Sequence, residues 1–287
     1  HGAFSGSGLA ENDKLYLFYT GNTRNDKWER HPYQCLAIMD EEGKITKHPK
    51  AIVEELPEIY TDNFRDPKVF KENDKYYFVI GAERKEGNLG TIAVYESADL
   101  INWNYKGEIK TSFFGNGFMW ECPDYFEVDG AGVTVFSPMG FLNDGKVYDS
   151  ASICMLSSFD ETNGEMQLSD TYQFFDYGID LYAPQSTTDK DGNRVIMAWA
   201  RMPEAVNGKL NGMMCIPRIV EVKNNHVCFK PHKNVKNNFT KKIDFPSQTE
   251  KSGYMIKTSL KNGESINIGG YIIKCENKKI IADRTYI

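Results

Sequence analysis

The stretch MWECPDYF, from Met119 to Phe126, has the apolar and aromatic composition of a buried β-strand, yet it carries Glu121 between Trp120 and Cys122. An unpaired carboxylate is costly to bury. Glu121 therefore needs either a partner or a polar cavity, and related stretches elsewhere in the chain indicate which of the two it has.

Three other stretches share the plan of WECPDYF. They are FSGSGLA from Phe4, FRDPKVF from Phe64 and YAPQSTT from Tyr182. Each opens on an aromatic residue and is followed by a polar turn and a short β-branched or aromatic run, which is the pattern of a hairpin. The opening aromatic residues of the four stretches are 60, 56 and 62 residues apart. Short strands repeated at a fixed long period are typical of stacked or radially arranged sheets, and units of this size suit four-stranded blades.

We therefore predict an all-β chain whose first part is a β-propeller. The second strands of its blades are expected at Leu15–Tyr19, Tyr76–Ile80, Val133–Phe136 and Val195–Trp199. After about Val222 the pattern changes, and short strands are predicted at Tyr254–Thr258, Ser265–Ile268, Tyr271–Cys275 and Lys279–Asp283. The expected domains are a propeller over residues 1–222 and a partial β-sandwich over residues 223–287. A β-sandwich with accidental spacing is the alternative for the first domain.

The composition favours a globular protein and limits its partners. Of the 287 residues, 40% are hydrophobic and 26% charged, and the formal net charge is -6. This charge and the lack of a basic stripe argue against a nucleic-acid partner. No apolar run approaches the ~20 residues that span a bilayer, so no membrane partner is expected. Six dispersed cysteines without metal-ligand spacing predict a cytoplasmic protein without a bound metal. The sequence does not give the oligomeric state.

The first strands of the predicted blades are expected to surround one pocket, because these strands commonly line the central channel of a propeller. Aligning the opening aromatic residues brings together Ser5-Gly6, Arg65-Asp66, Glu121-Cys122 and Ala183-Pro184. The side chain of Glu121 is therefore expected to point into a shared cavity rather than into a blade core.

Glu121 and Asp66 are the candidate catalytic residues. The apolar neighbours of Glu121 are expected to reduce the hydration of its carboxyl group and to favour the protonated form, which a general acid requires. Arg65 is expected to keep Asp66 ionised. Two carboxyl groups in different protonation states suit glycoside hydrolysis, which needs neither a metal nor an organic cofactor. A plain ion pair between Arg65 and Asp66, within an Asp-Pro turn, is the alternative interpretation.

The chain resembles glycoside hydrolase family 32. The resemblance rests on the order and spacing of HGAFSGSG, FRDPKVF, WECPDYF and DYGIDLYAPQS. It is close from Gly2 to about Val222 and looser beyond. The family includes invertases, sucrose-6-phosphate hydrolases, levanases and inulinases. The resemblance implies a five-bladed β-propeller followed by a β-sandwich, and a retaining hydrolysis of β-fructofuranosides.

The resemblance also implies roles for individual residues. Glu121 matches the acid/base glutamate of the family, and Asp66 matches an aspartate that stabilises the transition state, with Arg65 beside it. The residues that match pocket positions for the sugar are Phe4, Ser5, Tyr182 and Trp199. Taken without the resemblance, Trp199 is expected in a blade core, and stacking on a sugar is the alternative. The implied partner is a small carbohydrate, and the resemblance favours the cytoplasmic sucrose-6-phosphate hydrolase branch.

One departure from the family pattern concerns the nucleophile. In the family it is the aspartate of an Asn-Asp-Pro-Asn-Gly motif upstream of FSGSG, and the 287 residues contain no such motif. A retaining enzyme without its nucleophile forms no glycosyl-enzyme intermediate. We therefore expect that one further blade precedes His1 in the natural protein, that the sandwich segment is incomplete, and that the chain alone is nearly inactive.

Other functions suit the same residues. A levanase or inulinase would act on fructans with the same two carboxyl groups, and a non-catalytic propeller would bind carbohydrate without cleaving it. An arabinan-cleaving five-bladed propeller also uses three carboxylates, but the FSGSG and Glu-Cys-Pro stretches fit it poorly.

Overall fold

The computed structural model describes residues 2–178, 180–201, 211–242, 253 and 255–283. Within these residues the regular structure consists of β-strands and one short helix, as an all-β chain requires. The chain divides into two compact units, His1–Lys233 and Asn234–Ile287. The first unit extends beyond the expected boundary at residue 222, because the last hairpin of its fourth sheet continues to Pro231. No helix in the described ranges is long and apolar enough to cross a membrane.

The first unit contains four antiparallel sheets in chain order, which are called blades 1 to 4 below. Blade 1 consists of β1 (Gly2–Glu11), β2 (Lys14–Arg24), β3 (Arg30–Met39) and β4 (Ile45–Lys47). Blade 2 consists of β5 (Tyr60–Glu72), β6 (Lys75–Arg84), β7 (Leu89–Ser97) and β8 (Asn104–Glu108). Blade 3 consists of β9 (Met119–Val128), β10 (Ala131–Asn143), β11 (Lys146–Ser150), β12 (Ile153–Asp160), β13 (Glu165–Leu168) and β14 (Gln173–Phe174). Blade 4 consists of β15 (Leu181–Thr188), β16 (Arg194–Ala200), β17 (Met213–Met214), β18 (Arg218–Lys223) and β19 (His226–Pro231).

Each blade begins with a hairpin of its first two strands. The four predicted second strands lie within β2, β6, β10 and β16, so these predictions are confirmed. The β1–β2 turn shows why polar residues were needed there, because Asn12 and Asp13 have φ values of 50° and 58°. Two positive φ values define the turn whose twist matches an antiparallel hairpin, and asparagine and aspartate tolerate them. The repeat seen in the sequence is therefore a repeat of hairpins that begin blades.

The hydrophobic cores lie between successive blades. Phe18 of blade 1 packs in one cluster with Phe64 and Phe78 of blade 2. A second cluster joins blades 2 and 3, and a third joins blades 3 and 4 through residues such as Phe126 and Ile196. Because each core needs two blades, the packing fixes the position of every first strand relative to the next.

Trp120 anchors the contact between blades 2 and 3. Its ring is fully buried and stacks on Phe136 at 4.5 Å between centroids. Two glycines of blade 2 leave room for it: a Cβ on Gly90 would lie 2.3 Å from Trp120 Cδ1, and one on Gly81 would lie 2.1 Å from the Trp120 carbonyl oxygen. The residue after Trp120 is thereby held at the inner edge of blade 3.

Within its described residues, the second unit contains one antiparallel sheet. A short helix, α1 (Lys233–Asn237), follows β19, and the sheet consists of β20 (Ser265–Ile268), β21 (Tyr271–Glu276) and β22 (Lys279–Asp283). Three predicted strands are confirmed. The prediction of a strand over residues 254–258 is wrong for 255–258, which form no strand, and Tyr254 lies outside the described residues. The interpretation of this unit as part of a β-sandwich stays a prediction.

Candidate active site

The first strand of each blade carries the same irregularity. The first strands contact one another in succession, β1 with β5, β5 with β9 and β9 with β15. In each of them the chain advances three residues while the paired strand advances two, which is a β-bulge. The bulges run from Ala3 to Gly6, from Arg65 to Lys68, from Glu121 to Asp124 and from Tyr182 to Gln185. Bulges re-aim side chains and are frequent beside active sites.

The bulges define which residues of different blades are equivalent. Three sets follow for blades 2, 3 and 4: an upper level of Arg65, Glu121 and Tyr182, a middle level of Asp66, Cys122 and Ala183, and a lower level of Lys68, Asp124 and Gln185. The alignment on opening aromatic residues is correct for blades 2 and 3. It is wrong for blade 4, where Leu181 takes the position of Phe64 and Trp120, and for blade 1, where Phe4 lies inside the bulge.

The middle level has strained backbone. Asp66, Cys122 and Ala183 each precede a proline and have φ values of 70°, 49° and 52°. This region costs a residue other than glycine on the order of 1 kcal/mol or more, and such residues cluster at functional sites. The same strained conformation thus occurs once in each of blades 2, 3 and 4, where the packing between blades maintains it.

The upper level is one hydrogen-bonded group drawn from three blades. Arg65 donates from Nε and Nη2 to Glu121 Oε1, at 2.9 and 2.7 Å, and the hydroxyl of Tyr182 donates to Glu121 Oε2. The Arg65 and Glu121 side chains are 11% and 19% exposed. Glu121 therefore has partners on both oxygens and still reaches solvent, which answers the question that its position in an apolar strand raised.

The neighbours of Glu121 in the sequence do not form its environment. Met119 and Trp120 are fully buried in the blade cores, whereas the Glu121 side chain contacts Arg65 and Tyr182. The polar contacts of Glu121 thus come from other blades and not from the apolar residues that precede it in the sequence, and the expected desolvation by Met119 and Trp120 stays a prediction.

The middle level is built around the Asp66 carboxyl group. Its Oδ2 accepts hydrogen bonds from the backbone nitrogen and the thiol of Cys122, at 2.9 and 3.5 Å. The backbone nitrogen of Asp66 donates to Thr20 Oγ1 of blade 1 at 3.1 Å. Asp66 is 6% exposed. Both hydrogen bonds that the described residues give to this carboxyl group reach Oδ2, so Oδ1 is the oxygen available to a ligand.

The environment of Asp66 differs from the expectation. Burial raises the pKa of Asp66, and the hydrogen bond from Cys122 and the charge of Arg65 oppose this effect. Arg65 does not hold Asp66 in an ion pair, because its guanidinium group is turned to Glu121. Burial also raises the pKa of the Cys122 thiol and of the Tyr182 hydroxyl, so both groups remain hydrogen-bond donors.

The lower level is a largely buried polar group that follows the middle level along the first strands of blades 2, 3 and 4. Lys68 Nζ lies 3.3 Å from Asp124 Oδ1 and donates to the backbone oxygen of Ser186 at 2.7 Å. Asp124 is fully buried and also accepts a hydrogen bond from the Ser186 nitrogen. Gln185 Nε2 donates to the carbonyl oxygen of Cys122 at 3.0 Å. These contacts join blades 2, 3 and 4.

The remaining predicted site residues lie outside these levels. Phe4 and Ser5 are exposed on β1, whereas the neighbouring Ser7 links blade 1 to blade 2 through hydrogen bonds with Pro67 O and Val69 N at 2.8 and 2.9 Å. Trp199 lies directly opposite Tyr182 in the β15–β16 pair and is 39% exposed. The expectation of Trp199 in a core is therefore wrong, and its ring is accessible beside the upper level.

Sequence reasoning missed the lower level and the residues that support the upper one. Asn63 Oδ1 accepts hydrogen bonds from Arg65 Nη1 at 3.1 Å and from Arg30 Nη1 of blade 1 at 2.8 Å. A signal for the lower level was present in the sequence. Aligning the prolines Pro67, Pro123 and Pro184 gives the correct equivalences, including that of Lys68, Asp124 and Gln185. Within the parts of the chain that the structure describes, no three His, Cys, Asp or Glu side chains are grouped to hold a metal ion.

Comparison with known proteins identifies the family. The model of the glycosyl hydrolases family 32 N-terminal domain matches residues 1–231. A sucrose-6-phosphate hydrolase of Vibrio alginolyticus is 41% identical over 240 residues, which cover 80% of this chain and 49% of that protein. The enzyme of the same name from Bacillus subtilis is 38% identical over 214 residues, covering 72% and 44%. The chain thus spans about half the length of the curated relatives it matches.

Solved structures give the same result. The structure of a sucrose-6-phosphate hydrolase from Lactobacillus gasseri matches with a TM-score of 0.75 and 32% identity, covering 82% of this chain and 50% of that one. A family 32 β-fructofuranosidase of Bombyx mori matches with a TM-score of 0.74 and 28% identity, covering 84% and 53%. With the match of the family model over most of the chain, this protein belongs to glycoside hydrolase family 32.

Proposed function

We propose that this chain supplies most of the active site of a retaining β-fructofuranosidase that cleaves sucrose or sucrose 6-phosphate. The observation that carries the proposal is the convergence of Arg65, Glu121 and Tyr182 from three blades, directly beside Asp66. The names of the relatives, sucrose-6-phosphate hydrolase and β-fructofuranosidase, support the substrate class.

Glu121 is the acid/base residue in this proposal. Its carboxyl group is fixed on one side by Arg65 and on the other by Tyr182, which orients it without closing it to solvent. In the first step it transfers a proton to the oxygen of the leaving group. In the second step it removes a proton from the attacking water.

Asp66 is the stabilising residue. Oδ2 is held by Cys122, and Oδ1 is left to accept hydrogen bonds from hydroxyl groups of the fructosyl ring. Burial makes its negative charge more effective at an oxocarbenium-like centre than an exposed carboxylate would be. Phe4, Ser5 and Trp199 are proposed to border the sugar, Phe4 and Trp199 through their exposed rings.

The nucleophile belongs to a segment with the Asn-Asp-Pro-Asn-Gly motif, which these 287 residues do not contain. We propose that residues 1–222 belong to a five-bladed propeller and residues 223–287 to a β-sandwich. We also propose a cytoplasmic location, supported by six cysteines that are all free. A non-catalytic carbohydrate-binding propeller is the second candidate, because the missing motif by itself permits binding without turnover.

The test compares two lengths of protein. The 287-residue chain and an extended form, which carries the family's Asn-Asp-Pro-Asn-Gly segment at its amino terminus, are assayed with sucrose and sucrose 6-phosphate. Hydrolysis by the extended form alone is the expected result. Binding of either sugar without hydrolysis by the extended form would favour the second candidate, and turnover by the 287-residue chain would refute the assignment of the nucleophile.

A further inference from the structure

Two arginines near the site, Arg24 and Arg30, have no role in the proposed mechanism, and they are called the rim arginines below. Arg24 ends β2, Arg30 begins β3, and the two lie directly opposite each other in the β2–β3 pair. Directly opposed residues of an antiparallel pair extend from the same face of the sheet, and like charges in this arrangement destabilise it. A bound anion would relieve this repulsion.

Among the described residues, the two rim arginines differ from other arginines of the chain in their lack of an ion pair. Arg65, Arg84 and Arg218 each form an ion pair with an acidic side chain, at 2.7, 3.6 and 2.7 Å. Within the described ranges, Arg24 and Arg30 have no carboxylate at such a distance. The two rim arginines thus differ from the arginines that serve as structural ion pairs.

Neutral groups hold the two guanidinium groups in place. Arg24 donates to the backbone oxygen of Trp28 at 2.6 Å and stacks over the Trp28 ring at 5.2 Å. Arg30 donates to Asn63 Oδ1 at 2.8 Å. These contacts order both side chains without an ion pair to a carboxylate, so both guanidinium groups can still bind an anion from solution.

A chain of hydrogen-bonded side chains connects the rim arginines to the proposed acid. Asn63 Oδ1 joins Arg30 to Arg65, and Arg65 binds Glu121, the proposed proton donor to the leaving group. Burial and the positive charges of Arg65 and Arg24 lower the pKa of Arg30, while Asp62 and Glu121 oppose this effect. The three arginines are therefore close enough to act on one another's charge.

We propose that Arg24 and Arg30 form an anion subsite for a phosphate monoester on the hexose of the leaving group. The proposal rests on the proposed function, since it takes Glu121 as the acid. Guanidinium groups bind phosphate oxygens through paired, charge-assisted hydrogen bonds. A phosphorylated leaving group relieves the repulsion between the arginines, and a neutral one does not. The subsite therefore makes sucrose 6-phosphate the preferred substrate over sucrose.

The first test measures the ratio of kcat/KM for sucrose 6-phosphate to that for sucrose in the extended form. Arg30→Met and Arg24→Met are expected to lower this ratio about tenfold or more, mainly through the phosphorylated substrate. Lys27→Met removes a positive charge from the same β2–β3 connection and is expected to leave the ratio unchanged. An unchanged ratio in both arginine variants overturns the subsite and leaves the hydrolase standing. Absence of hydrolysis of both sugars overturns the proposed function, and the subsite falls with it.

The second test does not depend on activity. The thermal midpoint of the 287-residue chain is measured with glucose 6-phosphate, glucose and inorganic phosphate at equal concentration. Glucose 6-phosphate is expected to raise the midpoint more than the other two, and Arg30→Met is expected to remove the rise while Lys27→Met retains it. An equal rise with inorganic phosphate would indicate a general anion site and overturn the assignment to a sugar phosphate.

Discussion

The first strands β5 and β1 have the same bulge and different surroundings. In β5 the bulge residues Arg65, Asp66 and Lys68 contact polar partners in blades 3 and 4. In β1 the equivalent residues Ala3, Phe4 and Gly6 have no polar side chain. The comparison shows that the bulge only places a residue at the inner edge of a blade. The chemistry arises where neighbouring blades bring equivalent positions together.

The largest expected effect concerns the upper level. Glu121→Gln in the extended form should lower kcat/KM by about 10³-fold, within the range that general acid catalysis contributes. Sugar binding should persist, because the amide is of the same size. Glu127→Gln, at the exposed outer end of the same strand, is the control and should retain activity. Equal activity of the two variants would show that a carboxyl group at the inner edge of the blade matters no more for catalysis than one at the outer end of the strand.

The lower level is expected to contribute most to stability. Lys68→Met leaves the fully buried Asp124 without its positive partner and should reduce the free energy of unfolding by about 3 kcal/mol. Lys71→Met, three residues further along β5, removes a surface ion pair with Glu11 and should leave the midpoint of urea unfolding unchanged. The comparison fails if the two variants unfold at the same urea concentration.

The hydroxyl of Tyr182 tests whether blade 4 contributes to the acid group. Tyr182→Phe removes the hydrogen bond to Glu121 Oε2 and should lower kcat/KM of the extended form about tenfold. The exposed Tyr177 offers a matched control, and Tyr177→Phe should have no effect. Full activity of Tyr182→Phe would mean that blade 4 contributes nothing to catalysis through the upper level, which would then act through Arg65 and Glu121 alone.

The smallest expected effect is a gain in stability from the middle level. Because burial raises the pKa of Asp66 in the folded state, its ionisation destabilises the fold at pH values above that pKa. Asp66→Asn should therefore raise the thermal midpoint at pH 7 by about 2–4 °C. As the pH falls through the folded pKa towards the unfolded one, Asp66 takes up its proton and the advantage should shrink. A difference that grows at low pH would contradict this account.

The sequence predicted the blades better than it predicted the contacts between them. Hairpin periodicity and polar turns are local, and β2, β6, β10 and β16 were placed correctly from them. Arg65 pairs with Glu121 rather than with Asp66 because of where the bulges interrupt the pairing of β5 with β6 and of β9 with β10. The position of a bulge cannot be read from the amino-acid composition of a strand. The alignment of blade 4 failed for a different reason, because Leu181 takes the position of Phe64 and Trp120 and the aromatic residue follows it at Tyr182. The proline after Ala183 indicated the correct alignment. The Arg24–Arg30 pair was not foreseen because it needs the register of β2 with β3.

The central claim is that equivalent bulge positions of successive blades meet at one sugar site. A crystal structure of the extended form with Glu121→Gln, soaked with sucrose 6-phosphate, tests it most directly. The account predicts a fructosyl ring in contact with both Asp66 Oδ1 and the side chain at position 121, with the phosphate against Arg30. A sugar bound elsewhere, or side chains at positions 66 and 121 that face separate hydrophobic cores, would contradict it.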